Sequence, residues 1–154
     1  MPSDPLRLLL VEDDELFRLG LRVRLQKEPS IEEVVEAEDG ETALTIAQQS
    51  LFDLVILDLG LPGIGGIETC RQLKANQVTA VIPVIFMTAL ADAESKIKGL
   101  SLGAVDYITK PFEQDEVIAR VNIHWRLKQL TDNLEQQVTE RTRALQQAQV
   151  QVVQ

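Results

Sequence analysis

The stretch Asp53-Leu54-Val55-Ile56-Leu57-Asp58-Leu59-Gly60-Leu61-Pro62-Gly63 sets four unbroken apolar residues between two aspartates and ends in a glycine- and proline-bearing turn. A run this short, without alternation, predicts a strand buried on both faces. Asp58 stands where that strand stops. Working outward, Leu6 to Val11 is apolar except for Arg7, Ile82 to Met87 is a second such run, and Val105 to Ile108 a shorter one. Ile31 to Ala37 carries Val34-Val35 among glutamates and predicts a more exposed strand. Helical spacing lies between these runs. One helix runs from Leu16 to near Glu28-Pro29, where proline disfavours helix in the preceding residue. Glu41 to Gln49 follows the Asp39-Gly40 turn signal. Ile67 to Lys74 follows a loop, Leu59 to Gly66, that holds one proline and four glycines. Ala91 to Leu102 is closed by Gly103, and the pattern is helical again from Phe112. Five strands alternating with five helices predict an α/β fold, a doubly wound parallel sheet covered on both faces.

Composition narrows the function classes. The 154 residues suit one domain with a core of its own. A net charge of −9 argues against a broad nucleic-acid face and against an anionic membrane surface. No apolar run approaches the roughly 18 residues of a membrane span, and Met-Pro-Ser-Asp-Pro does not begin like a secretory signal. One cysteine, Cys70, excludes an internal disulfide and suits a reducing cytoplasm, the expected location. The acid is uneven: residues 1–120 carry 11 Lys/Arg against 21 Asp/Glu, and residues 121–154 carry 4 against 3. That shift is the basis for dividing the chain into a globular unit, 1–125, and a helical extension, 126–154.

In open parallel sheets, ligands sit beyond the carboxyl ends of the strands. There the sequence places Glu12-Asp13-Asp14, Asp58, Thr88-Ala89 and Lys110-Pro111. Clustered carboxylates repel unless a cation lies between them. Mg²⁺ answers that need with oxygen ligands and room for phosphate oxygens. A lysine across the cleft suits a phosphoryl group, and a carboxylate beside Mg²⁺ can act as nucleophile and form an aspartyl-phosphate.

Leu8 to Glu15, Asp53 to Gly63, Phe86-Met87-Thr88-Ala89 and Asp106 to Phe112 together resemble the receiver domain of two-component response regulators. Each motif is weak alone; four in order, each after its own strand, are strong. The resemblance spans roughly residues 5–125 and implies a CheY-like sheet of order 2-1-3-4-5. It implies that Asp58 accepts a phosphoryl group from a sensor histidine kinase or phosphotransfer protein. Mg²⁺ is then held by Glu12, Asp13, Asp58 and the Gly60 carbonyl, with Asp13 a direct ligand and Glu12 direct or through water. Thr88 bonds the phosphoryl oxygen and Lys110 pairs with it, its bond to Pro111 being cis. Tyr107 is the aromatic switch that turns inward as Thr88 moves. The implied protein is a signalling phosphoacceptor rather than an enzyme in its own right. Gly60 is smaller than usual for its position and opens the pocket to water, Leu90 forms the other wall, and the Gly63-Ile64-Gly65-Gly66 loop is glycine-heavy.

Plainer readings stand beside these. Asp14 can simply cap the next helix. Thr88 alone reads as a structural hydroxyl, and Tyr107 as a half-buried strand residue. His124, the only histidine, reads as an ordinary helix residue, Cys70 as a small core residue, and Trp125 as packing where the last helix leaves the domain. A pseudo-receiver that docks partners without phosphorylation is the alternative function. An aspartyl-phosphate phosphatase wants a second acid at the position of Gly60. A flavin carrier wants a Gly/Ser/Thr-rich loop where Glu12-Asp13-Asp14 stands.

From Glu113 to Gln154 there is no glycine or proline, which allows one helix of roughly 40 residues, about 60 Å long. Thr131, Val138, Leu145 and Val152 fall at one core position of a heptad, and Leu127, Leu134, Arg141 and Ala148 at the other. Leu134 to Leu145 resembles signalling-helix linkers that lead to a histidine kinase or nucleotide cyclase, and an output domain is expected beyond it. A homodimer is expected through this helix. A second dimer face is offered by Lys96 or Lys98 with Glu116, and Asp106 with Arg120, on helix four, strand five and helix five.

Overall fold

The computed structural model describes residues 5–89 and 93–153, except for the side chains of residues 95 and 151–153. Leu90 and the start of the fourth helix at Ala91 therefore lie outside the described residues, as does the side chain at the Val152 seam position. The elements are β1 (Leu6–Val11), α1 (Glu15–Gln26), β2 (Ile31–Ala37), α2 (Gly40–Gln49), β3 (Leu54–Asp58), α3 (Gly65–Ala75), β4 (Val84–Ala89), α4 (Ala93–Ser101), β5 (Asp106–Lys110) and α5 (Gln114–Val153). The sheet is parallel, in the order β2-β1-β3-β4-β5.

Period two along the strands divides two cores. Leu8, Leu10, Leu54, Ile56, Ile85, Met87 and Ile108 pack with Leu21 and Leu25 of α1 and with Val117, Ile118 and Val121 of α5. Leu9, Val11, Val55, Leu57, Val84 and Phe86 pack with Ala43 and Ala47 of α2 and with Cys70 and Leu73 of α3. The central strands are thus apolar on both faces because both faces are covered. On the edge strand β2, Ile31, Val34 and Ala37 are buried and the rest are not.

Local chemistry sets the ends. Asp14 caps α1, accepting from the Phe17 N–H at 3.0 Å, and Asp39 caps α2, accepting from Thr42 N–H at 2.7 Å. β4 begins two residues later than expected, at Val84, because Pro83 has no N–H to give the ladder. β5 runs on to Lys110, past its apolar part. α3 starts inside the glycine run, and the loop before it is tied down: the Glu41 carboxylate accepts the Ile64 N–H at 3.1 Å. Gly63 supplies the positive φ of 74° that this turn requires.

α5 is one helix of 40 residues, as its sequence predicts. Its first turns pack on the sheet, and Trp125 lies partly buried against the α1–α5 core where the helix leaves it. Residues 131–150 are exposed throughout.

Candidate functional site

The strand ends converge as the topology demands. β1 and β3 are neighbours and so deliver Glu12, Asp13 and Asp58 side by side; one carboxylate oxygen from each lies within 4.8 Å of the others. Glu12 is 1% exposed and Asp58 is 6%, whereas Asp13 faces solvent. Asp58 sits opposite Met87 in the ladder, which places Thr88 one residue further along β4. Lys110 closes the group from β5. Its Nζ lies 3.0 Å from Glu12 Oε2 and 3.5 Å from Asp58 Oδ1, and 4.5 Å from the Phe17 ring centre. The Lys110–Pro111 bond is cis.

Backbone donors trim the cluster. The Gly60 N–H donates to Asp58 Oδ1 at 3.2 Å, and the Asp14 N–H to Glu12 Oε1 at 3.2 Å. A Cβ at Gly66 would run into the backbone of Asp58 and Leu59, so glycine lets α3 begin directly against the acidic strand end. Gly60 itself is exposed, leaving that side of the site open to solvent.

Three carboxylates face one ammonium. Burial, and then the charge of Asp58, push the Glu12 carboxyl up to about 7 despite its bond to Lys110. The group is short of positive charge, and its all-oxygen, hard donor set fits a divalent cation such as Mg²⁺. Thr88 is 2% exposed and its Oγ1 has no hydrogen-bond partner. Among the described residues the only other buried polar side-chain atom in that state is Arg22 Nε, which still has Glu36 Oε2 3.4 Å away. A buried hydroxyl normally finds a partner, so the orphan at Thr88 is a conspicuous exception.

Tyr107 is 37% exposed, stacks on Phe86 with ring centres 6.0 Å apart, and has Lys96 Nζ 4.9 Å from its ring centre. Arg120 and Asp106, expected to serve a face between copies, pair within the chain at 2.8 Å. His124 joins them: its Nε2 lies 2.9 Å from Asp106 Oδ2. From the sequence alone this histidine reads as an ordinary helix residue. Its i+4 spacing from Arg120 was the available signal.

Residues 8–122 match the response regulator receiver domain family. Response regulator ArlR of Staphylococcus saprophyticus is 41% identical over 115 residues, covering 75% of this chain and 50% of that protein. Response regulator PleD of Caulobacter vibrioides is 40% identical over 130 residues, covering 84% of this chain and 28% of that protein. The chain thus spans half or less of the length of these curated relatives. A crystal structure of a response regulator from Chloroflexus aurantiacus superposes with a TM-score of 0.70 at 36% identity, over 80% of this chain and 99% of that one. With the strand order, the acidic strand ends and the cross-cleft lysine already in place, these matches settle the family: the chain belongs to the response regulator receiver domains of two-component systems.

Proposed function

We propose that this receiver is switched by phosphorylation of Asp58, with Mg²⁺ as cofactor, and passes the change through α5 to an output helix. The observation that carries the reading is the buried, unpartnered hydroxyl of Thr88 beside an acidic cluster that already holds a lysine. A phosphoryl group on Asp58 offers oxygens to both. The donor is a phosphohistidine on a sensor histidine kinase or phosphotransfer protein. An Asp58 carboxylate oxygen attacks phosphorus, the P–N bond breaks, and its electron pair leaves with the imidazole.

Each residue has a task. Asp58 is the nucleophile, and the Gly60 N–H holds its second oxygen. Lys110 neutralises phosphoryl oxygens as charge builds on them. Glu12, Asp13, Asp58 and the Gly60 carbonyl would hold Mg²⁺, which when bound offsets the charge of phosphoryl oxygens and carboxylates. Thr88 gains its missing partner by moving toward the phosphoryl group, and Tyr107 takes the space it leaves. Tyr107 starts half out, within reach of Lys96, so it has somewhere to come from.

The donor's approach has support beside the site. Leu16, Leu19 and Val23 form an exposed apolar line on α1, 81%, 43% and 43% accessible. Such a line suits an amphipathic helix. Residues 126–154 act as a helical linker that pairs with a second copy. No described helix is long and apolar enough to cross a membrane.

Intact mass after incubation with acetyl phosphate and Mg²⁺ tests the reading. One added phosphoryl group is expected, absent from Asp58→Asn and absent with a chelator. No adduct at any time, with acetyl phosphate or a kinase donor, overturns it.

A further inference from the structure

We propose that the groove beneath the domain, where α5 passes the loops leading into β4 and β5, seats α5 of a second copy of this chain. The inference rests on the reading that the helix pairs, and adds where the pair begins and what else it touches.

The groove has a volume of about 730 Å³. Val81, Pro83 and Val105 form one wall; His124, Leu127 and Thr131 form the other. Val81 is 64% exposed, Leu127 52% and Val105 43%. The nearby cations are already engaged. Lys74 Nζ donates to the Ala80 and Ile82 carbonyls at 3.0 and 2.6 Å, and Lys128 pairs with Asp132 at 3.1 Å. The groove therefore presents apolar surface rather than free positive charge, and suits an apolar helix face rather than an anion.

Continuity identifies the helix. Leu127 and Thr131 belong to the heptad seam that runs on, at steps of three and four, through Leu134, Val138, Arg141 and Leu145. Leu134, Val138 and Leu145 lie beyond the domain and are exposed. A partner helix that follows this seam toward the domain runs into the groove.

Area argues the same way. A leucine or valine about half exposed offers on the order of 70–100 Å². The exposed apolar residues of the extension, Leu127, Leu130, Leu134, Val138, Leu145 and Val150, then give roughly 500 Å² per copy. A specific interface uses about 800 Å² per partner. Val81, Val105 and the rest of the groove supply surface the seam lacks. The loops so engaged lead into β4 and β5, the strands that carry Thr88 and Lys110 at their far ends.

Sedimentation equilibrium of the full chain tests this, with two variants. Val81→Glu with Val105→Glu charges the groove at exposed positions; Leu134→Arg with Leu145→Arg charges the seam. The parent is expected to be a dimer and the seam variant a monomer. The groove variant is expected to dimerise at least about tenfold more weakly, with unchanged far-UV dichroism. A milder Val81→Ser, Val105→Ser pair moves the same way by less, and stands in if the glutamates disturb folding. A groove variant as dimeric as the parent, beside a monomeric seam variant, overturns the proposal and leaves helix pairing standing. A seam variant that dimerises like the parent shows that α5 is not the occupant, and also overturns it. A parent that is monomeric at every concentration overturns both readings.

Discussion

Lys110 reaches across the carboxyl edge of the sheet to put its ammonium 3.0 Å from a Glu12 oxygen that is itself buried. The lysine is partly exposed and the glutamate is not, so the two do not depend on each other equally. Lys110→Ala leaves two buried acids facing each other and is expected to lower stability by about 1–3 kcal/mol, measured by urea unfolding. The same change is expected to slow phosphoryl uptake from acetyl phosphate by roughly 100-fold, because it removes a fixed positive charge from the reacting oxygens.

Thr88→Val separates the resting fold from its switch. The side chains have similar shape, and the hydroxyl has no partner to lose. Unphosphorylated protein is expected to be unchanged or more stable by up to about 1 kcal/mol, because a desolvated hydroxyl is gone. Phosphorylation should still occur, but the near-UV change reporting Tyr107 should be lost. A clear destabilisation of the resting protein would show that the hydroxyl is already bonded.

Glu12 makes stability fall with rising pH. Its folded pKa, about 7, lies above its ordinary 4.5, so the folded state holds a proton that the unfolded state has released. That contribution is full below about pH 4.5 and is lost as pH rises through about 7. Its size is on the order of 3 kcal/mol. Thermal melts of metal-free protein should show the decline; millimolar Mg²⁺ should flatten it, and Asp58→Asn, which removes the second cause but not the burial, should reduce it.

Asp106 works in the opposite sense. Burial tends to raise its pKa, but hydrogen bonds from His124, then Arg120 and the Tyr107 N–H, prevail and hold it below the usual carboxylate value. Its contribution is present above about pH 4 and is lost as pH falls through the lowered value. Asp106→Asn is expected to cost about 1–2 kcal/mol at neutral pH and to remove that acid-side slope.

Leu16→Glu distinguishes a docked donor from a diffusing one. Leu16 lies on the exposed line of α1 and packs on nothing that the fold needs. Phosphorylation by acetyl phosphate should be unchanged, while transfer from a cognate kinase should fall by about tenfold or more. Equal rates from the kinase would remove α1 from the docking surface.

The layered fold was legible because its central strands are apolar on both faces and stop on acids, glycines and prolines. Asp58 and Glu12-Asp13 could be placed at one edge from their positions at strand ends alone, and Lys110 followed from its place after the last strand. Boundaries were less legible where two signals competed. Pro83 delayed β4, and α3 began within a glycine run because Gly66 fits where no side chain does. The tether from Glu41 to Ile64 joins residues 23 apart and depends on how α2 and α3 meet, which local pattern does not encode. The pairing of Asp106 with Arg120 inside the chain was equally hidden, since the sequence shows two charges but not which copy they serve.

α5 leaves the domain as a rod with no joint, so orientation at its tip is geared to orientation at its root. Each residue inserted between the domain and whatever the rod carries turns that cargo by about 100° and moves it by 1.5 Å. Seven residues restore its bearing to within about 20°; two or five point it away. The length of this helix therefore behaves as a phase setting, and lengthening or shortening it is tolerated in heptads rather than in single residues.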